Sequence, residues 1–149
     1  MRQKWKHTLC AVAIVIGSLS GIARAQQMAE QRAAQAANSW LALVDAGKYG
    51  QSWSGVSRYL KNKITKAQWV AELKQVRAPL GQVKSRKFAH VQLRNDLRGM
   101  PAGQYAAVQY ITSFGKTTPA PEVVAMVLEN DQWRVVAYFP QARVNGGSK

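Results

Sequence analysis

Cysteine is nearly missing from this chain. Its 149 residues hold one, Cys10, inside an apolar run near the start. Past that run no disulfide, thiolate nucleophile or thiolate ligand is available, so stability has to come from packing. A lipid-bearing cysteine would follow small residues, and His7-Thr8-Leu9 stand there instead. Acids are scarce as well, 7 Asp and Glu against 21 Lys and Arg, for a formal net charge of +14. They are dispersed along the chain as Glu30, Asp45, Glu72, Asp96, Glu122, Glu129 and Asp131. The only histidines are His7 and His90. A metal site needs several convergent ligands, so neither a metal nor a cofactor is expected, and His90 reads as an ordinary strand residue. No Gly-x-Ser-x-Gly elbow and no phosphate-cradling glycine loop occurs. No apolar run reaches the ~20 residues that span a bilayer.

What is present begins with an address. Arg2, Lys4 and Lys6 precede an apolar run from Leu9 through Leu19, and Ala23-Arg24-Ala25 follows. Basic, then apolar, then small is the order of a cleavable secretory signal peptide, with cleavage expected after Ala25. That predicts a periplasmic or secreted protein made of one domain over 26–149, with an ordered core about 28–140. The basic surplus attracts polyanions such as nucleic acid, acidic lipid or envelope polysaccharide. Its densest cluster is only Lys61, Lys63 and Lys66, which favours the plainer reading of a generally basic exported protein.

The first half reads as helical. Apolar residues at Ala29, Ala33, Ala36, Ala37, Trp40, Leu41 and Val44 draw one stripe along a helix over Met28 to Ala46, with Gly47 as its stop. A shorter helix is predicted to carry Tyr49, Trp53, Val56 and Leu60. Thr65 with Gln68 is a capping-box signature, and behind it Trp69, Leu73 and Val76 run until Pro79 and Gly81.

The second half alternates. Strands are predicted over Gln82–Leu93 (with a change of phase near Phe88), Tyr105–Phe114, Glu122–Leu128 and Trp133–Phe139. Glu129-Asn130-Asp131-Gln132 reads as a tight hairpin turn. Helices first and antiparallel strands second predict an α+β fold: three N-terminal helices packed on a curved four-stranded antiparallel sheet. In the third strand Val124, Met126 and Leu128 oppose Val123, Ala125 and Val127. In the fourth, Trp133, Val135, Ala137 and Phe139 oppose Val136 and Tyr138. Both faces are apolar, whereas a sheet open to water on one side should alternate. A covering is therefore expected on the second face, from curvature around a pocket, a partner subunit, or a helix.

Several stretches carry a family resemblance. They are Trp40-Leu41-Ala42-Leu43-Val44-Asp45-Ala46-Gly47-Lys48-Tyr49, Gln51-Ser52-Trp53, Trp69, Arg77-Ala78-Pro79-Leu80-Gly81 and Ser85-Arg86. Gly103-Gln104-Tyr105, Thr112-Ser113-Phe114, Lys116, Glu122, Trp133-Arg134-Val135 and Tyr138-Phe139 continue the pattern. Together they resemble a bacterial exported family known as domain-of-unknown-function family 4019, from about Met28 to Phe139. The family places a Gly after the hairpin Asp, where this chain has Gln132. The resemblance implies an exported α+β domain and transfers no catalytic residue. More distantly the order of elements is similar to cone-shaped nuclear-transport-factor-like and cystatin-like folds, as fold analogy alone.

Few residues invite chemistry. Asp45 and Tyr49 lie one helical turn apart, an acid–tyrosine pair suited to proton transfer if buried in a pocket; the plainer reading has Asp45 serving the helix junction. Arg77 and Arg86 bracket Pro79-Leu80-Gly81 and could fork a carboxylate or phosphate, against the plainer option of pairing with Glu72, Glu122 or a helix-end carbonyl. Tyr110 and Tyr138 are further binding candidates on the sheet. Trp40, Trp53, Trp69 and Trp133 sit on core-facing stripes and read as packing. Three functions remain open. The first is a non-enzymatic exported domain that binds a small apolar ligand, an envelope protein or its own copy through the second sheet face. The second is an enzyme using Asp45 and Tyr49 in a sheet-lined pocket. The third is an electrostatic polyanion binder.

Overall fold

The computed structural model of the chain describes residues 17–115 and 117–141, with side chains from Gly21 onward. The basic start of the expected leader, Cys10, Lys116 and the Gly-containing tail lie outside the described residues. Helix α1 (Gly17–Asp45) starts well before the expected Met28. Its alanines favour the helix, and Ala33, Ala37, Trp40, Leu41 and Val44 form the buried stripe that the spacing predicts. Gly47 ends it with φ 69°. Gly47 donates to the Val44 carbonyl at 3.0 Å and Lys48 to the Leu43 carbonyl at 2.8 Å, the paired bonds of a Schellman stop.

The expected second helix breaks into α2 (Tyr49–Ser52), a 3-10 turn (Trp53–Gly55) and α3 (Arg58–Lys61). The cause is tertiary. Val56 leaves helical geometry to bridge Val135, and the Ser57 amide donates to the Val135 carbonyl at 2.9 Å. The Ser57 hydroxyl then caps α3, accepting from the Leu60 amide at 3.2 Å. Helix α4 (Lys66–Arg77) opens on the capping box that the sequence predicts, with Thr65 and Gln68 bonded reciprocally at 2.8 and 3.2 Å.

The sheet runs β1 (Val83–Arg94), β2 (Tyr105–Phe114), β3 (Ala120–Glu129), β4 (Gln132–Pro140), in that order and antiparallel throughout. The phase change in β1 is a bulge between Phe88 and His90. The inner face carries Val91, Val108, Val124, Met126 and Val135, and it packs under α1 and α4 through Trp40, Leu41, Val44, Trp69 and Leu73. This is an α+β fold with helices on one face of a curved four-stranded sheet.

One predicted facing is overturned. Met126 pairs with Val135 but Ala125 pairs with Ala137, so Val136 is an extra residue on β4. The bulge reverses the alternation beyond it. Tyr138 therefore turns inward, opposite Val124, while Ala137 and Phe139 turn outward. On the outer face, Met100 packs over Tyr105, Val127 and Val136 at one end. The rest of that face bears Ile111, Val123 and Phe139, with Ile111 39% and Phe139 53% exposed. Among the described residues no helix covers it.

Candidate functional site

The ends of two helices converge on the inner face of the sheet. The last turn of α1 supplies Asp45 and the last turn of α4 supplies Arg77. The sheet supplies Arg86, Thr112, Glu122 and Tyr138, one from each strand. The register aligns them: Arg86 stands opposite Thr112, and Glu122 lies beside Tyr110. The β4 bulge brings Tyr138 to the same face.

Glu122 is fully buried and every lone-pair direction of its carboxylate is used. Arg86 donates to it twice, Nε to Oε2 at 2.6 Å and Nη2 to Oε1 at 3.1 Å. The Thr112 hydroxyl donates to Oε2 at 2.6 Å, and the Tyr138 hydroxyl to Oε1 at 2.6 Å. Arg86 also donates to both oxygens of Asp45, at 2.6 and 3.2 Å. Arg77 donates to Asp45 at 3.0 Å and to the Tyr138 hydroxyl at 3.2 Å, with its guanidinium 4.5 Å from the Phe114 ring centre. Two cations thus meet two anions, and neutrality makes their burial tolerable. An acid at the end of α1 faces the negative pole of that helix; contact with two arginines offsets this.

Burial alone would raise the Glu122 pKa, but hydrogen bonds from Arg86, Thr112 and Tyr138 reverse that and hold it below the usual carboxylate range. Burial, then the Glu122 charge, raises Tyr138 above an ordinary phenol. Burial works against the charge on Arg86, yet its bonds to Asp45 and Glu122 lift its pKa above the arginine norm. Burial pushes Tyr110 up to about 12, with Arg86 pulling against it. Each of these groups moves away from neutrality, so none is poised to exchange a proton near pH 7. No buried side-chain polar atom among the described residues lacks a partner, and none of their His, Cys, Asp or Glu cluster as a metal site would require.

The structure brings Asp45, Arg77, Arg86 and Tyr138 into one network. Tyr110 flanks it, with Arg86 5.9 Å from its ring centre and its hydroxyl donating to Asn38 at 2.7 Å. Tyr49 is apart: it lines the mouth of a shallow cleft of about 450 Å³ with Asp45, Lys74, Arg77 and Gln82. No hydrogen bond joins Tyr49 to Asp45 among the described residues, and Asp45 sits at an exposed helix end held by two arginines. Arg86 bonds Glu122, one of the partners the sequence offered, whereas both arginines also bond Asp45, which the sequence did not pair with them. Thr112 and the central place of Glu122 escaped the sequence reading. The signal was parity, since Glu122 shares a strand face with Val124 and Met126, where an acid must meet a cation or stay neutral.

A family described as "Protein of unknown function (DUF4019)" matches residues 36–138. A solved structure from Campylobacter jejuni, described as an NTF2-like transpeptidase, is similar at 17% identity with a TM-score of 0.45. The match covers 66% of this chain and 92% of that one. No curated protein matches the chain.

Proposed function

This chain belongs to the DUF4019 family, a family of unknown function, and from that premise we propose that it is an exported, non-enzymatic interaction domain that seats another envelope protein on the outer face of its sheet. The reading rests on one observation. The outer face is apolar around Ile111, Val123 and Phe139, yet no described helix covers it. Large apolar side chains gathered on an open face mark an interaction surface in a soluble domain. Export is supported by the basic, apolar and small order of residues 1–25.

Two observations narrow the chemistry. The inner face is filled by Trp40, Leu41, Val44 and Trp69, which favours a protein partner over a small ligand held inside the cone. Lys87 stands opposite Ile111 in the register and is exposed, so a cation borders the patch on its β1 side. The partner fitted by this face has an apolar patch with a carboxylate at the edge that meets Lys87.

The test is native electrophoresis of envelope extracts from cells carrying wild type, Ile111→Asp or Phe139→Asp, beside circular dichroism of each purified variant. The reading expects a larger assembly that both substitutions abolish while the fold persists. A wild-type protein that migrates alone, or variants that migrate with the assembly unchanged, would overturn it.

A second reading is favoured by a different observation. Between Asp45 and Glu72 the chain carries Lys48, Arg58, Lys61, Lys63 and Lys66 with no acid. Lys61 lies 5.7 Å from the Trp53 ring centre and Lys63 5.6 Å from that of Tyr59. Such a corner suits a polyanion, whose affinity would fall steeply with salt.

A further inference from the structure

The free edge of β1 faces a groove of about 490 Å³ between that strand and α1. One wall is the α1 stripe Gln27, Gln31, Ala34, Gln35 and Asn38, and the other is Phe88 with Val91. We propose that this groove takes an extended acidic segment of a partner protein, which adds to β1 as a fifth strand. This surface meets the outer face only along β1, where Lys87 borders both, and the inference does not depend on that face being occupied.

The backbone makes the first argument. Strand β1 pairs with β2 alone among the described residues, so its other edge presents a row of amides and carbonyls available to a strand. Residues 87–90 are all exposed, including Phe88 at 57%. Phe88 packs edge-on against Tyr110, 6.1 Å between centres, and offers its other side to the groove. A strand laid here would place alternate side chains against Phe88 and Val91 and the others toward solvent. Amide side chains of α1 line the far wall with donors and acceptors for polar groups of an incoming chain. The Asn38 oxygen is already taken by the Tyr110 hydroxyl at 2.7 Å, which leaves its nitrogen to donate.

Charge makes the second argument and selects the occupant. Strand β1 carries Lys84, Arg86, Lys87, His90 and Arg94 and no carboxylate. Arg86 is spent on Glu122 and Asp45; Lys84, Lys87, His90 and Arg94 are exposed. Two copies of this edge would repel, so the lysines and the bulge guard against self-pairing. An acidic strand meets attraction along the same edge. The groove holds one acid, Glu30, already engaged by the Gln26 amide at 3.2 Å.

The test uses protein recovered from cells and a synthetic peptide alternating glutamate with valine, beside a lysine–valine counterpart. Hydrogen exchange is followed by mass spectrometry and affinity by calorimetry. The inference expects the glutamate peptide to bind and slow exchange across 83–94, with affinity falling about tenfold or more from low to high salt. The lysine peptide should not bind, Phe88→Asp and Lys87→Glu should each weaken binding at least about tenfold, and Phe139→Asp should leave it unchanged. Protection appearing elsewhere, equal binding of both peptides, binding unaltered in Phe88→Asp, or protection of β1 by self-association without peptide would each overturn it. Loss of binding in Phe139→Asp alone would move the site to the outer face and overturn it too.

Discussion

Arg86 of β1 reaches over the whole width of β2 to grip Glu122 of β3 with two near-parallel bonds of 2.6 and 3.1 Å. Strands two places apart are about 9–10 Å from each other, and only a long forked side chain closes that gap with directional bonds. Thr112, on the strand between, adds a third bond to the same carboxylate. Asp45 and Arg77 then tie the ends of α1 and α4 into this clasp. The network therefore couples the helical layer to the sheet at the point where the sheet is most strongly bridged. Glu122 is saturated by these partners, so the network fastens the helices to the sheet.

Glu122→Gln should cost about 3–5 kcal/mol, because it leaves buried Arg77 and half-buried Arg86 with only the partly exposed Asp45 as counter-charge. Asp45→Asn should cost no more than about 1 kcal/mol, since that carboxylate is partly exposed and water compensates its loss. Urea denaturation of both variants and wild type gives the ordering. Equal costs, or a larger cost for Asp45→Asn, would mean that Glu122 is not the centre of the network.

Acid should undo the same contact. The folded-state pKa of Glu122 lies below its ordinary value, so its contribution is complete above the unfolded carboxylate pKa of roughly 4.3. It is lost as pH falls through the lower folded value. The stability gap between wild type and Glu122→Gln should hold from neutrality to about pH 5 and shrink at more acid pH. Urea midpoints across that range check it. A gap independent of pH would show that the carboxylate charge contributes nothing.

Much of this fold was legible because it is written locally. The capping box at Thr65, the phase change near Phe88, the strand Tyr105–Phe114 and the hairpin after Glu129 each depend on neighbours in sequence. What escaped is set by contacts distant in the chain. The second helix breaks at Val56 because Val135 claims its backbone. Tyr138 points inward because one extra residue, Val136, is absorbed on β4. No periodicity reveals a bulge whose partner strand supplies the count. The clasp was half visible, since Glu122 was among the acids offered to Arg77 and Arg86, but bringing Asp45, Thr112 and Tyr138 to the same point needed the sheet register and the β4 bulge.

Ser52 should prove more important than a small residue in a four-residue helix suggests. It is fully buried, its hydroxyl accepts from Trp69 Nε1 at 3.1 Å, and its carbonyl accepts from Trp40 Nε1 at 3.2 Å. Ser52→Ala leaves the Trp69 donor buried without a partner, a loss of about 1–3 kcal/mol. Urea denaturation followed by tryptophan emission reads the cost, and the folded-state spectrum should shift as the Trp69 environment changes. Ser52→Cys, which restores only a weak acceptor, should fall between the two. Wild-type stability in Ser52→Ala would show that the indole finds another partner.

The β3–β4 hairpin offers a change in the opposite direction. Glu129 pairs with Gln132 across the turn, and Asn130 and Asp131 hold φ of 48° and 60°. Two left-handed residues between paired strands make a type I′ turn, for which Asn followed by Gly is the favoured pair. Asp131 tolerates the conformation better than most residues but keeps a Cβ that crowds its carbonyl. The Asp131 side chain makes no hydrogen bond among those described, whereas its carbonyl accepts from Arg32, and glycine keeps that acceptor. Asp131→Gly should therefore stabilise the protein by about 0.5–1 kcal/mol, the strain relieved exceeding the added freedom of the unfolded chain. Asp131→Ala should destabilise it by a similar amount, because alanine has the Cβ without the tolerance. Urea midpoints decide between this account and one in which the Asp131 carboxylate matters. If carboxylate loss were the dominant effect, both variants would fall together.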